Sequence, residues 1–419
     1  MTASATHRAI DAVWRIESTR LIAGLTRIVR DVGVAEDLAQ DALVAALEQW
    51  PEAGIPDSPG AWLMATAKHR GVDALRRRVT LERKQEQIGR ELQLIHQLDQ
   101  PDLAAQVDHV EDDVLRLVFM TCHPVLSREA RVALTLRLVG GLSTPEIARA
   151  FLVSEGTVAQ RIVRAKRTLA EARVPFDVPG RDELDERLSA VLEVVYLVFN
   201  EGYSATAGEH WTRPALCADA LRLGRILAGL MPREPEVHGL LALMELQASR
   251  LRARVGPDGE PVLLEDQDRS RWDGLLVQRG LAGLRRAEQL GGALGPYTLQ
   301  AAIAACHARA PSVEETDWPR VVALYDGLAA LTGSPVVELN RAVAVTRAFG
   351  PEAGLELVDA LTREPALRGY HLLPSVRGDV LLRLGRRADA RAELLRAAEL
   401  CDNERERALL LSRAAECEP

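Results

Sequence analysis

Residues 143–171, STPEIARAFLVSEGTVAQRIVRAKRTLAE, constrain this chain more than any other stretch. Ser143 and Glu146 stand at capping-box spacing, and Pro145 suits the first turn of a helix. Ile147, Ala148 and Phe151 give that short helix its apolar side, and Ser154 is placed to cap a second one. At about 100° per residue, Gly156, Thr157, Gln160, Arg161, Arg164, Arg167 and Thr168 share one side of the second helix. Val158, Ile162, Ala165 and Leu169 share the other. One face is built to pack. The opposite face carries guanidinium and amide donors beside small residues, the groups that reach base edges and phosphates when a helix lies in the major groove. A solvated, Arg-rich surface helix has the same pattern, so this segment alone leaves both readings open.

The chain has 419 residues, enough for two to four domains. A hydrophobic content of 47% with only 4% aromatic residues, and heavy use of Ala, Leu and Arg, points to an all-α protein with real cores. The net charge of -8 argues against a generally basic coat. Positive charge is instead concentrated in 68–90 and 161–173, so a local nucleic-acid footprint is compatible with the acidic total. Cys122, Cys217, Cys306, Cys401 and Cys417 lack CxxC spacing, which disfavours a disulfide framework or a zinc site and fits a reducing cytoplasm. No signal-peptide core or membrane-length apolar run is present. Walker, GxSxG, HExxH and dinucleotide-binding patterns are also missing, so no catalytic, cofactor or metal site is expected. His123 beside Cys122 has no further ligand at suitable spacing and reads as a structural histidine.

Earlier in the chain, 35–50 reads AEDLAQDALVAALEQW. Asp37, Gln40, Asp41, Val44 and Glu48 share one helical face, and Ala39, Leu43, Ala46, Leu47 and Trp50 the other. The second face packs. The first sets carboxylates around one apolar residue, a docking surface for a basic partner or simply a solvated acidic face. Residues 51–59 read as a loop, and Ser58 and Pro59 open another helix. Its wheel places Trp62, Thr66, His69, Arg70, Asp73, Arg76 and Arg77 together, opposite Leu63, Met64, Ala67, Gly71, Ala74 and Leu75. Stacking rings beside cations suit single-stranded DNA. The same residues also fit a half-buried core tryptophan, the reading that Trp62 taken alone favours, and an ordinary positive helix end.

Three patterns then coincide: A-E-D-L-x-Q-D at 35–41, P-x-A-W-L at 59–63, and A-x-x-R-x-x-D-x-L-R-R-R at 67–78. Together they resemble region 2 of an extracytoplasmic-function sigma factor, in the sigma-70 superfamily. The 143–171 segment, with E-I-A, G-T-V and R-A-K, resembles its region 4. The resemblance implies a region 2 helical bundle over 1–80, a linker over 81–111 and a region 4 helix-turn-helix over 112–176. The implied partners are the bacterial RNA polymerase core, through its β′ clamp helices and β flap, and promoter DNA. Asp37, Gln40, Asp41, Val44 and Glu48 become polymerase contacts. Trp62, Thr66, His69, Arg70, Asp73, Arg76 and Arg77 become −10 contacts. Glu155, Gly156, Thr157, Gln160, Arg161, Arg164 and Arg167 become −35 contacts. Two positions depart from the family pattern: His69 stands where an Asn is common, and Leu152 where the turn usually has Gly. A non-Gly residue in a left-handed turn costs on the order of 1 kcal/mol.

Residues 112–139 have helical apolar periodicity at Val114, Leu117, Val118, Leu134, Leu136 and Leu138, support for the helix that follows. A sigma factor of this class would stop near 174–180, VPFDVPG, yet the chain runs on. The remainder reads as helices over 188–200, 213–231, 236–254, 272–290, 298–309, 318–331, 336–348, 352–361, 373–384, 388–400 and 404–415. Gly350 and Gly385 share a frame, with Ala353 and Ala388 as small residues opening the next helices. That frame resembles tetratricopeptide repeats. The expected layout is a helical extension over 177–310 and tetratricopeptide-like repeats over 311–419, whose concave surface suits a protein partner. Tyr196, Asn200, Glu201, Gly202 and Tyr203 read as an aromatic-capped helix end. In 263–274, LLEDQDRSRWDG, Asp266, Asp268 and Arg269 read as a salt-bridge knot rather than a calcium loop. QDRSRW, GPYTLQAAIAACHA and LNRAVAV resemble sigma factors with a long helical C-terminal extension. The alternative is an autonomous helix-turn-helix regulator whose helical repeats act as a sensor.

Overall fold

The computed structural model describes residues 3–69, 110–151, 153–205, 210–257 and 259–417. Among them there is no strand, only one bridge pair, Val255 with Pro261. The chain forms two compact units, Met1–Val195 and Tyr196–Pro419.

The first unit opens with α1, Ala3–Val29, and α2, Val32–Ala53. Asp31 caps α2, its carboxylate accepting from Gly33 N at 2.7 Å and Val34 N at 3.0 Å. The helix therefore starts before the motif at 35 and runs past Pro51, with Gly54 N donating to Trp50 O at 3.0 Å. Residues 51–53 are thus helical where the sequence reads as loop: proline forgoes its own N–H but leaves the following bond intact. Residues 59–69 form α3, which brings Trp62 edge-on to Trp50 with ring centroids 5.2 Å apart.

The apolar stretch at 112–139 is two helices, α4 at Val110–Thr121 and α5 at Arg128–Leu138. His123 Nδ1 accepts from Val125 N at 3.1 Å in the turn between them, and Ser127 caps α5 through Ala130 N. The Cys122 thiol, buried beside Thr135 Oγ1 at 3.3 Å, is pushed up to about 11 by burial and stays protonated. Next come α6, Thr144–Ala150, and α7, Glu155–Glu171. The long α8, Arg181–Tyr203, gives its first half to this unit, where Arg187 donates to Phe119 O at 3.1 Å.

In the second unit the helices follow α8 as α9 (Pro214–Leu230), α10 (Pro235–Ala248), α11 (Gly274–Gln289) and α12 (Pro296–Arg309). Then come α13 (Trp318–Thr332), α14 (Pro335–Phe349), α15 (Pro351–Leu361), α16 (Leu372–Arg383), α17 (Arg387–Leu400) and α18 (Glu404–Ala415). From α12 onward, consecutive helices pack on one another, the arrangement of a stacked helical repeat. Crossings close on small residues. A side-chain carbon at Gly354 would meet Thr346 and the carbonyl of Ala342, and one at Gly378 would meet Leu394 and the carbonyl of Ala390.

Two expectations for this unit need correction. Gly350 and Gly385 do take positive φ, 101° and 75°, but Ala388 is exposed, and the small residues that close the crossings are Gly354 and Ala390. In the 263–274 segment, Arg269 does not pair with Asp266 or Asp268 as a salt-bridge knot would require. Arg269 donates to His307 O at 2.6 Å and to Ala310 O, while Asp268 accepts from Ser270 N at 2.9 Å. The guanidinium satisfies carbonyls at the end of α12, groups that a helix terminus leaves unpaired. Tyr203 ends α8 with Arg254 3.9 Å over its ring, while Tyr196, about two turns earlier, lies edge-on to Tyr297.

Candidate nucleic-acid interface

The helix-turn-helix is fixed by its caps. Ser143 N donates to Glu146 Oε2 at 2.8 Å while Glu146 N donates to Ser143 Oγ at 3.4 Å, a complete capping box. Thr157 N donates to Ser154 Oγ at 3.1 Å, which starts α7. Val158, Ile162, Ala165 and Leu169 are all buried, so the packing face is the one the wheel assigns. Glu155, Gly156, Gln160, Arg164 and Arg167 are exposed, with Thr157 and Arg161 half-buried beside them. Arg167 Nε reaches Glu171 Oε1 at 2.6 Å, an exposed pair that water screens. Leu152, the residue in the turn, lies outside the described residues.

The acidic face of α2 has a similar division. Ala39, Ala46 and Trp50 are buried, while Asp37, Asp41 and Glu48 are exposed. Gln40 is half-buried, and Val44 stands 46% exposed between the carboxylates, an apolar side chain that a partner surface would cover. On α3, Trp62 and Thr66 are half-buried and His69 is exposed. Arg70, Asp73, Arg76 and Arg77 lie outside the described residues, as does most of the 81–111 segment.

Sequence reasoning missed the charged node between these two faces. Glu36, one residue before Asp37, is 4% exposed. Its carboxylate takes Arg137 Nε of α5 at 2.7 Å and pairs with Lys166 of α7. Arg27 Nε also meets the buried Asp113 at 3.0 Å, and Thr19 Oγ1 donates to Val139 O at 3.0 Å. In this arrangement one lysine of the candidate DNA helix is engaged by the element that carries the candidate partner-docking face. Nothing local signals it, because Arg137 is 101 positions from Glu36.

Among the described residues, one group of side chains has metal-ligand composition: His371, Cys401 and Glu406 lie within 4.8 Å of one another. They also bond among themselves, His371 Nε2 to Glu406 at 3.1 Å and Cys401 Sγ to Glu406 at 3.7 Å. No helix among the described residues is long and apolar enough to cross a membrane.

Comparison with known proteins agrees with this anatomy. Residues 15–80 match sigma-70 region 2 and residues 116–169 match sigma-70 region 4. Residues 187–288 match a family of unknown function, DUF6596. An uncharacterised protein of Rhizobium meliloti is 44% identical over 92% of this chain and 90% of its own length. The probable ECF RNA polymerase sigma factor SigI of Mycobacterium tuberculosis is 26% identical over 50% of this chain and 79% of its own. An ECF RNA polymerase sigma factor SigK from a Mycobacterium species is 28% identical over 37% of this chain and 77% of its own. No solved structure matches the chain. With both sigma regions present in order, on an all-helical frame with an additional helical unit, the chain belongs to the sigma-70 superfamily, as a sigma factor of extracytoplasmic-function type with a long C-terminal extension.

Proposed function

We propose that this sigma factor works in the cytoplasm as a dissociable subunit of bacterial RNA polymerase, binding the core enzyme through Asp37, Gln40, Asp41, Val44 and Glu48. An acidic face with an apolar centre suits the basic, partly apolar surface of a helical partner such as the β′ clamp helices, and region 4 would dock on the β flap. Trp62, Thr66 and His69, with Arg70, Asp73, Arg76 and Arg77 further along, would then hold the unstacked −10 strand. Extruding bases costs a few kcal/mol, which stacking and phosphate contacts offset. Glu155, Gly156, Thr157, Gln160, Arg161, Arg164 and Arg167 would read the −35 element. The helical extension would regulate this activity, with its concave face open to a protein partner.

The observation that carries the reading is the division of α7. Four apolar residues are buried at helical spacing, and the opposite face presents Gly156, Gln160 and Arg164 to solvent. Small residues at the N-terminal end allow close approach to base edges, and the arginines downstream reach either bases or phosphates. Lys166 would be withheld from DNA for as long as Glu36 engages it.

The test is run-off transcription with core polymerase and the full-length protein. Reversing Asp37 and Asp41 to Lys is expected to abolish promoter-specific transcripts, and undiminished transcription would remove the docking assignment. Arg161→Ala with Arg164→Ala is expected to weaken binding at the −35 element by about 1–3 kcal/mol per base-reading contact. A loss equal on all sequences would make both residues phosphate contacts instead.

A further inference from the structure

The second unit contains a pocket of about 210 Å³ that the promoter-directed function does not use. Its walls are apolar where α13, α14 and α16 meet, with Val313, Trp318, Val343, Val376 and Val380 facing the space. Its mouth is charged. Arg347 of α14 and Arg383 of α16 both pair with Glu265, the latter at 3.0 Å. Arg383 also meets Asp379 at 3.2 Å, and Arg413 of α18 meets the same carboxylate at 2.6 Å. Three guanidinium groups thus surround two carboxylates, leaving a positive excess beside an apolar cavity.

Glu265 belongs to neither helix wall. It lies on a single 3-10 turn, Leu264–Asp266, that crosses the mouth and has no buried residue of its own. Among the described residues, Glu265 is the pocket carboxylate that pairs with both arginines, and it stands on this turn rather than on a helix wall. Burial, then the neighbouring Arg383, depresses the Arg347 guanidinium, as expected where cations crowd an apolar site. A planar carboxylate suits a pair of forked guanidinium donors better than a lone hydroxyl or an amine does. The cavity equals on the order of seven waters by volume, below the usual size of a drug pocket and suited to a short hydrocarbon chain.

We propose that this pocket binds a small apolar carboxylic acid, its chain lying among Val343, Val376 and Trp318 and its carboxylate replacing Glu265 on Arg347 and Arg383. Glu265 is the in-chain occupant that such a ligand displaces, and displacement releases the 264–266 turn from the mouth. Binding is a property of the protein alone, so it can fail without touching the promoter-binding reading, and that reading can fail without touching it.

The test is titration calorimetry of the full-length protein with octanoate, using octanol and octylamine as length-matched controls. Octanoate is expected to bind saturably, and both controls about tenfold more weakly or not at all. Glu265→Gln removes the competing charge and is expected to tighten octanoate by about tenfold, a gain that misfolding cannot imitate. Val343→Phe fills the cavity and is expected to abolish binding while the thermal transition is retained. Equal affinity for octanoate and octanol, no change on Glu265→Gln, or no saturable octanoate binding would each overturn the proposal.

Discussion

Met1–Val195 and Tyr196–Pro419 are both helical, but they cohere by different means. In the first unit, α1 packs on α4, and discrete polar links add to that contact between the region 2 and region 4 helices: Arg27 with Asp113, Thr19 with the carbonyl of Val139, and Glu36 with Arg137 and Lys166. In the second, helices close on small residues. Gly239 lies against Thr298, Gly280 against Leu246 and the Ala242 carbonyl, and Gly354 against Thr346. Charged links of this kind can be opened by another charged surface, which suits the proposed reach to two separated promoter elements. The second unit has charged links of its own, such as Arg413 with Asp379 and Arg377 with Glu393, but its close glycine crossings make it sensitive to added volume as well.

That contrast can be broken most severely by adding volume. A side-chain carbon at Gly239 would sit 2.3 Å from Thr298 Oγ1 and 2.9 Å from Thr298 N, and backbone cannot step aside. Gly239→Val is expected to cost about 3 kcal/mol or more and to lower the second unit's calorimetric transition selectively. An unchanged transition would mean the crossing is looser than its geometry implies.

A somewhat smaller effect comes with acid. His307, 8% exposed, has its pKa lowered from 6.5 to about 4 by burial and by Arg250 and Arg269. It is neutral when folded, while the unfolded chain takes up its proton first. Its contribution is therefore fully present above pH 6.5 and is lost as the pH falls from there toward 4. The total is about 3 kcal/mol over that window, and His307→Gln is expected to flatten denaturation midpoints across it. A slope that persists in the variant would place the acid sensitivity elsewhere.

The first unit should respond to charge. Glu36→Gln leaves Arg137 and Lys166 without their carboxylate. Because those cations are 22% and 19% exposed, the cost is expected to be about 2–3 kcal/mol, below that of a fully buried pair. The same change should free Lys166 and raise non-specific DNA affinity, measurable by titration at fixed salt. A fall in stability with no rise in affinity would confine Glu36 to a structural role.

What was legible in the sequence is what is local. The two faces of α7 and α2, the caps at Ser143 and Ser154, and the second unit's helices between their Gly and Pro breaks all follow from spacing within a few turns. The helical periodicity over 112–139 is present in both helices there, but spacing alone does not place the turn at His123, whose ring accepts from Val125 N. The helical grouping also stopped short at α1, whose Ala3–Val29 span drew no expectation despite burying Leu21, Ile22 and Leu25. Arg269 shows the other limit. Its neighbours Asp266 and Asp268 invite an ion-pair reading, but its partners are carbonyls at His307 and Ala310, brought near only by tertiary packing. The same is true of Glu36, which reads as one more solvated carboxylate until α5 and α7 fold over it.

The central claim is that one face of this chain grips polymerase and another addresses DNA only in that company. Its most direct measurement pairs gel filtration of the full-length protein with sigma-free core polymerase and a duplex-promoter mobility shift without polymerase. The account predicts co-elution with core and no promoter-specific shift by the protein alone. Failure to co-elute, together with a tight, sequence-specific shift of naked duplex, would contradict it and point to a regulator that binds DNA unaided.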